Sequence, residues 1–133
     1  EKGMTPSTPV IPLIHGLLYT LEKIFEEGVE NRFKRHHELN SIVHDWVDSK
    51  GFELFPKKEF ASKSLSCVRN NLDMDVAGFV KALKEEKKLS IDGGYGKIKG
   101  KTFRISNMGN ENQESIEFLL SQMDSIIDRF LPS

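Results

Sequence analysis

The spacing of the apolar residues changes along the chain, and that change limits the fold more than any other feature. From Val10 to Phe25 apolar residues fall at Val10, Leu13, Ile14, Leu17, Leu18, Leu21, Ile24 and Phe25. This i, i+3, i+4, i+7 pattern predicts an amphipathic helix. Pro9 or Pro12 suits its first turn, and Gly28 is placed to end it. A second helical stripe follows at Val29, Phe33, Leu39, Ile42, Val43, Trp46 and Val47, and Gly51 stops it. With Gly28 alone between them, the two helices either turn sharply or run on with a kink.

Beyond Gly51 the period shortens. "FELF" (52–55), closed by Pro56, and "SLSCV" (64–68) read as short strands. Asp75 is placed to cap a third helix, which carries Val76, Phe79, Val80 and Leu83 on one face and ends in "KEEKK" (84–88). "LSI" (89–91) is expected to form a brief strand, and "TFRIS" (102–106) a better one. Asn112 is placed to cap a last helix bearing Ile116, Leu119, Leu120, Met123, Ile126, Ile127 and Phe130. The expected fold is α+β: a small, mostly antiparallel sheet of three to four strands with helices packed on one face. Residues 1–9, rich in Pro, Ser and Thr, form an extended arm, and 10–133 form a single domain.

The 133 residues suffice for one core without disulfides. The formal net charge of -1 gives no global attraction for nucleic acid or an anionic membrane. No apolar run approaches the length of a membrane span. Cys67 is the single cysteine, which excludes an internal disulfide and favours a reducing, cytoplasmic setting. The chain opens on Glu1 instead of methionine, so the expectation is a processed protein or a piece of a longer one.

"GYGKIKGKT" (94–102) has the look of a phosphate-cradling loop but fails on spacing. The pattern needs four residues between its glycines, then Lys and Ser/Thr. Counting back from Gly100-Lys101-Thr102, the first glycine falls on Tyr95. The segment also leads into a strand, whereas such a loop opens a helix. The four histidines, His15, His36, His37 and His44, have no metal-ligand spacing, so no metal site is expected. Cys67 is expected to be a buried, inert thiol.

Two residues remain as binding candidates. In "TFRIS", Phe103 and Ile105 point to one side of the strand and Thr102, Arg104 and Ser106 to the other. Arg104 therefore sits opposite the apolar face, where a planar fork of donors suits a carboxylate. The simpler reading is pairing with a surface acid, and periodicity alone favours it. Thr8, just ahead of Pro9 and a long helix, could hold an anion with the helix N-terminal amides, although an ordinary cap or an extended arm is the commoner role.

In order along the chain stand "TPV" (8–10), "EEGVENRFKRH" (26–36), "GFELFP" (51–56), "DGGYG" (92–96) and "GKTFRISNMG" (100–109). From about Thr5 to the end, this set resembles the C-terminal small domain of the class V, fold-type-I pyridoxal-phosphate aminotransferases. The branch that it resembles is the alanine–glyoxylate/serine–pyruvate group with its aspartate- and phosphoserine-using relatives. The resemblance implies a homodimeric two-domain enzyme acting on an amino acid and a 2-oxo acid. A large domain, absent from this chain, would carry pyridoxal 5'-phosphate, the Schiff-base lysine and the aspartate on the pyridine nitrogen. No lysine here stands in the Schiff-base context, so the chain alone is expected not to transaminate. By the same resemblance Arg104 matches the arginine that grips the substrate α-carboxylate. Thr8 matches the threonine that reaches the cofactor phosphate of the partner subunit's site. The family often has tyrosine where this chain has Thr5, and often histidine at Asn107. A free-standing α+β module that holds a small anion on Arg104 and Lys97, Lys99 and Lys101 is the alternative, with a purely structural or regulatory interaction domain behind it.

Overall fold

The computed structural model of the chain describes residues 7–132. The chain divides into two compact units, Glu1–Lys34 and Arg35–Ser133. In the first unit, helix α1 runs Ile11–Glu27, with Val10 as N-cap and Pro12 in the first turn. Val10 has no side chain able to cap, and none does so. The amphipathic stripe is open: Leu13 is 70% exposed and Phe25 71%. Gly28 ends the helix at φ 84°, a conformation that strains any residue with a Cβ. Its N–H still reaches Ile24 O at 2.9 Å. The "EEGVENR" segment stitches this junction. Asn31 Nδ2 donates to Glu27 O at 2.9 Å, and Arg32 Nη1 donates to Glu27 Oε2 at 2.9 Å.

Helix α2, Val29–Ser49, starts in the first unit and continues into the second. The second unit adds β1 (Glu53–Leu54), β2 (Leu65–Arg69), α3 (Val76–Ala82), β3 (Thr102–Ser106) and α4 (Gln113–Asp124). The three strands form one antiparallel sheet in the order β1-β2-β3. Its register sets Val68 against Phe103 and Cys67 against Arg104. Side chains alternate across the sheet, so Ser66, Val68, Phe103 and Ile105 share the face that α2, α3 and α4 cover. Val43 and Val47 of α2, Phe79 of α3 and Met123 of α4 complete that core at 0% exposure. Phe103 is its centre, with the Phe52 ring edge-on at 5.2 Å and Phe79 edge-on at 6.3 Å. Removing a buried phenylalanine such as this costs about 3–5 kcal/mol. The unit is the α+β fold expected from the sequence, with three strands. Among the described residues no helix is long and apolar enough to cross a membrane.

The caps act as the sequence implies. Asp75 Oδ1 accepts from Gly78 N–H at 3.0 Å, and Asn112 Oδ1 from Ser115 N–H at 2.9 Å in a capping box. Three details differ. "LSI" (89–91) forms no strand; pairing is confined to a single bridge one residue later, between Asp92 and Arg104. The third helix is regular only to Ala82 and then continues as a π-type turn, Leu83–Lys87. The last helix stops at Asp124, and the distal part of its stripe lies on a separate 3-10 turn, Ile127–Phe130.

Candidate functional site

The site begins with the alternation of β3. With Phe103 and Ile105 committed to the core, Arg104 must project from the other face of the sheet. Thr102, expected to share that open side, is instead 0% exposed, because the glycine-rich loop folds back over it. Thr102 Oγ1 donates to Ile98 O at 3.3 Å. Gly100 N–H closes the loop on Gly93 O at 3.0 Å. Gly94 stands at φ 87°, where a Cβ would lie 2.6 Å from both Ile98 O and Thr102 Oγ1. The glycines therefore permit a loop packed onto itself. Lys97, Lys99 and Lys101 are exposed on it.

That loop presents Asp92 to Arg104. The two residues are paired by their backbones, Arg104 N–H to Asp92 O at 2.7 Å and Asp92 N–H to Arg104 O at 3.3 Å. Their side chains pair as well: Arg104 Nε donates to Asp92 Oδ1 at 3.0 Å, and Nη2 lies 2.8 Å from Oδ2. Gly94 N–H also donates to Oδ1, at 2.7 Å. The Tyr95 ring covers the guanidinium, with its centroid 5.8 Å from Cζ, within cation–π range. Arg104 thus has the surface acid that periodicity favours, yet the pairing is partial. A guanidinium carries five N–H donors, and Asp92 takes the Nε/Nη2 edge. The Nη1/Nη2 edge has no partner among the described residues. Arg104 also lines a shallow groove of about 380 Å³ with Leu65, Ser90, Ile91, Asp92, Ser106 and Met108.

The Arg104 guanidinium, helped by Gly94 N–H, holds the Asp92 carboxyl below its ordinary range. Asp92 raises the guanidinium in return. A depressed carboxyl lends its stability in full above the ordinary carboxylate range and loses it as pH falls through the lowered value. The pair is therefore intact throughout the neutral range.

A second construction fixes the end of β3. Asn107 is 0% exposed. Its Nδ2 donates to His36 O at 2.9 Å and to Lys63 O at 3.0 Å, while its N–H reaches Ser64 O at 3.0 Å. His36 Nδ1 donates back to Asn107 O at 2.8 Å. The contacts settle the amide's orientation, since a flip would set Oδ1 against two carbonyls. Just beyond, Arg35 Nη1 donates to Glu111 O at 2.6 Å and Nη2 to Gly109 O at 3.2 Å. The "RH" of "EEGVENRFKRH" thus clamps the "NMG" segment that follows Arg104.

The remaining candidates add no chemistry to this place. Thr8 is exposed and lies three residues before α1, outside any helix or strand, and the N-cap is Val10 instead. Thr8 belongs to the first unit and Arg104 to the second. Thr5 lies outside the described residues. Cys67 is half-buried on the Arg104 face, where burial pushes its thiol up and keeps it protonated. His44 lines a larger hollow of about 670 Å³ with His37, Asp45, Asp48, Lys58 and Lys63. Burial, reinforced by Lys63, lowers its pKa. No group of three metal-ligating side chains occurs among the described residues.

The sequence singled out Arg104 as a candidate and Asn107 only as a departure from the family pattern; Asp92 and the Arg35–His36 clamp were not anticipated. An Asp-Gly-Gly run, typical of a turn in which the carboxylate bonds its own backbone, was the available signal for Asp92.

No family model matches the chain. Individual proteins do. It is 37% identical over 106 residues to the L-aspartate–glyoxylate aminotransferase of Paracoccus denitrificans, covering 79% of this chain and 27% of that protein. It is 32% identical over 123 residues to the serine–glyoxylate aminotransferase of Arabidopsis thaliana, covering 92% and 31%. Among solved structures, an alanine–glyoxylate aminotransferase from Nostoc sp. superposes with a TM-score of 0.83 at 26% identity, over 92% of this chain and 33% of that one. The chain therefore spans about a third or less of the proteins it matches. Its relatives by sequence and by fold are class V aminotransferases, and the share of them that it spans is consistent with a C-terminal segment of such a protein.

Proposed function

We propose that the chain is the substrate-closing C-terminal small domain of a pyridoxal-phosphate-dependent aminotransferase, homodimeric when whole and inactive as this segment alone. The enzyme would move an amino group from an amino acid of the alanine, serine, aspartate or phosphoserine class to a 2-oxo acid. Glyoxylate stands in the names of all three similar proteins cited above, which makes it the first acceptor to try. The observation that carries the reading is the open Nη1/Nη2 edge of Arg104, a residue that lines a small groove. Two parallel N–H donors on one rigid plane match the two oxygens of a carboxylate. Holding that carboxylate orients the Cα–H bond, and orientation is a large part of the rate in such reactions.

Pyridoxal phosphate, when bound, supplies a conjugated electron sink. The chain's own contribution to holding it is small. The exposed Thr8 hydroxyl is able to donate to a phosphate oxygen, and one hydroxyl does not make a site. We assign Thr8 that contact in the homodimer. Thr8→Ala should then weaken cofactor retention in equilibrium dialysis while leaving amino-acid affinity unchanged. Full retention by the variant would remove Thr8 from the site.

The reading as a whole is tested by amino transfer to glyoxylate. The full-length protein should convert alanine, serine or aspartate, and residues 1–133 alone should convert none. Turnover by the isolated segment, or no transfer by the full-length protein with any donor of this class, counts against it.

A further inference from the structure

We propose that Asp92 is a positioning residue for the carboxylate-binding arginine: it occupies the Nε/Nη2 edge of Arg104 and leaves the Nη1/Nη2 edge as the single face offered to substrate. The inference rests on the reading that Arg104 grips a substrate carboxylate.

A lone arginine at the end of a flexible side chain can meet a carboxylate through either edge and in several rotamers. Here the choice is removed. The Asp92 carboxylate is itself fixed at two points, by the backbone bridge that sets residue 92 opposite residue 104 and by the Gly94 N–H at 2.7 Å. Its two oxygens then take one N–H each from Nε and Nη2, at 3.0 and 2.8 Å. Tyr95 lies over the guanidinium. Rotation about the terminal bonds would break two charge-assisted hydrogen bonds at once. Arg104 lines the groove together with Leu65, Ile91 and Met108.

The arrangement has a cost that makes it testable. Asp92 places a negative charge beside the cation that must attract a carboxylate, so it lowers raw affinity. A site built for affinity alone would omit it. The expected signature of Asp92 is therefore a split between binding and turnover. In the full-length protein, Asp92→Ala should lower kcat by about ten- to a hundredfold, the scale on which a misplaced substrate loses rate. KM for the amino acid should stay level or fall. Inhibition by lactate, which has the carboxylate without the amino group, should be unchanged or tighter. Asp92→Asn keeps one acceptor, for Arg104 Nε and Gly94 N–H, but sets an NH2 donor against Nη2, so it should restore kcat only in part.

Three results would overturn the proposal: an unchanged kcat in Asp92→Ala, a weaker lactate constant in that variant, or an Asn variant as slow as the Ala variant. If Asp92→Ala fails to fold, the Asn variant decides alone: a reduced kcat with level or tighter lactate binding supports positioning, and a native kcat or weakened lactate binding overturns it. Arg104→Ala is run beside them. An unchanged lactate constant there removes the underlying carboxylate reading, whereas weakened lactate binding with unaffected Asp92 variants removes the positioning role only.

Discussion

Arg104→Ala in the full-length protein should lower kcat/KM for the amino-acid donor by about a hundredfold or more. KM should rise and kcat should fall together, and the cofactor should stay bound. Both effects come from loss of the bidentate fork. Losing it removes the charge-assisted contacts that hold the carboxylate, hence the rise in KM. It also removes the alignment of the reacting bond, hence the fall in turnover. The effect is compounded by Asp92. With its cation gone, the carboxyl that Arg104 and Gly94 hold ionised faces the incoming substrate carboxylate as a like charge. Arg104→Lys should recover part of KM and less of kcat, because lysine restores the charge without the planar fork. Steady-state kinetics with cofactor content measured in parallel decides the matter. Native kinetics in Arg104→Ala would end the assignment.

The second large effect should fall on stability. Asn107→Ala should destabilise the fold by about 1–3 kcal/mol, since the part-buried His36 and Lys63 carbonyls each lose a donated side-chain hydrogen bond. The Oδ1 atom has no hydrogen-bond partner, so its removal offsets part of that loss. Asn107→Asp should be worse at neutral pH, because it sets a carboxylate against the His36 and Lys63 carbonyls. Urea unfolding gives the answer as a shifted midpoint at constant slope. A midpoint unmoved by Asn107→Ala would show that the clamp is dispensable.

Much of the second unit was legible because local and tertiary preferences agree there. The alternation in "TFRIS" marks the strand and the side on which Arg104 stands. Asp75 and Asn112 cap the helices that they precede, and Gly28 and Gly51 stand at positive φ where helices end. The failures are equally physical. "LSI" has strand-like residues, but its pairing is a single bridge at Asp92, and one bridge has no period to read. Thr102 has the polarity of an exposed residue, yet a loop that only glycines allow closes over it. Asn107 carries no local signal, because the carbonyls it serves belong to α2 and to the segment before β2. Of the candidate site, the arginine could be read from the chain, whereas the atoms that aim it could not.

The clamp at Asn107 bears on when this site comes into being. Its bonds to His36 and Lys63 join residues 71 and 44 apart. Contacts of such separation close large loops, and chains reach them only after shorter-range structure has met much of the entropic cost. The exit of the chain from β3 beyond Arg104 should therefore be settled late in folding. A partly folded chain has the arginine without the clamp that follows it. A carboxylate ligand that binds the finished state alone would, by mass action, hold the domain folded.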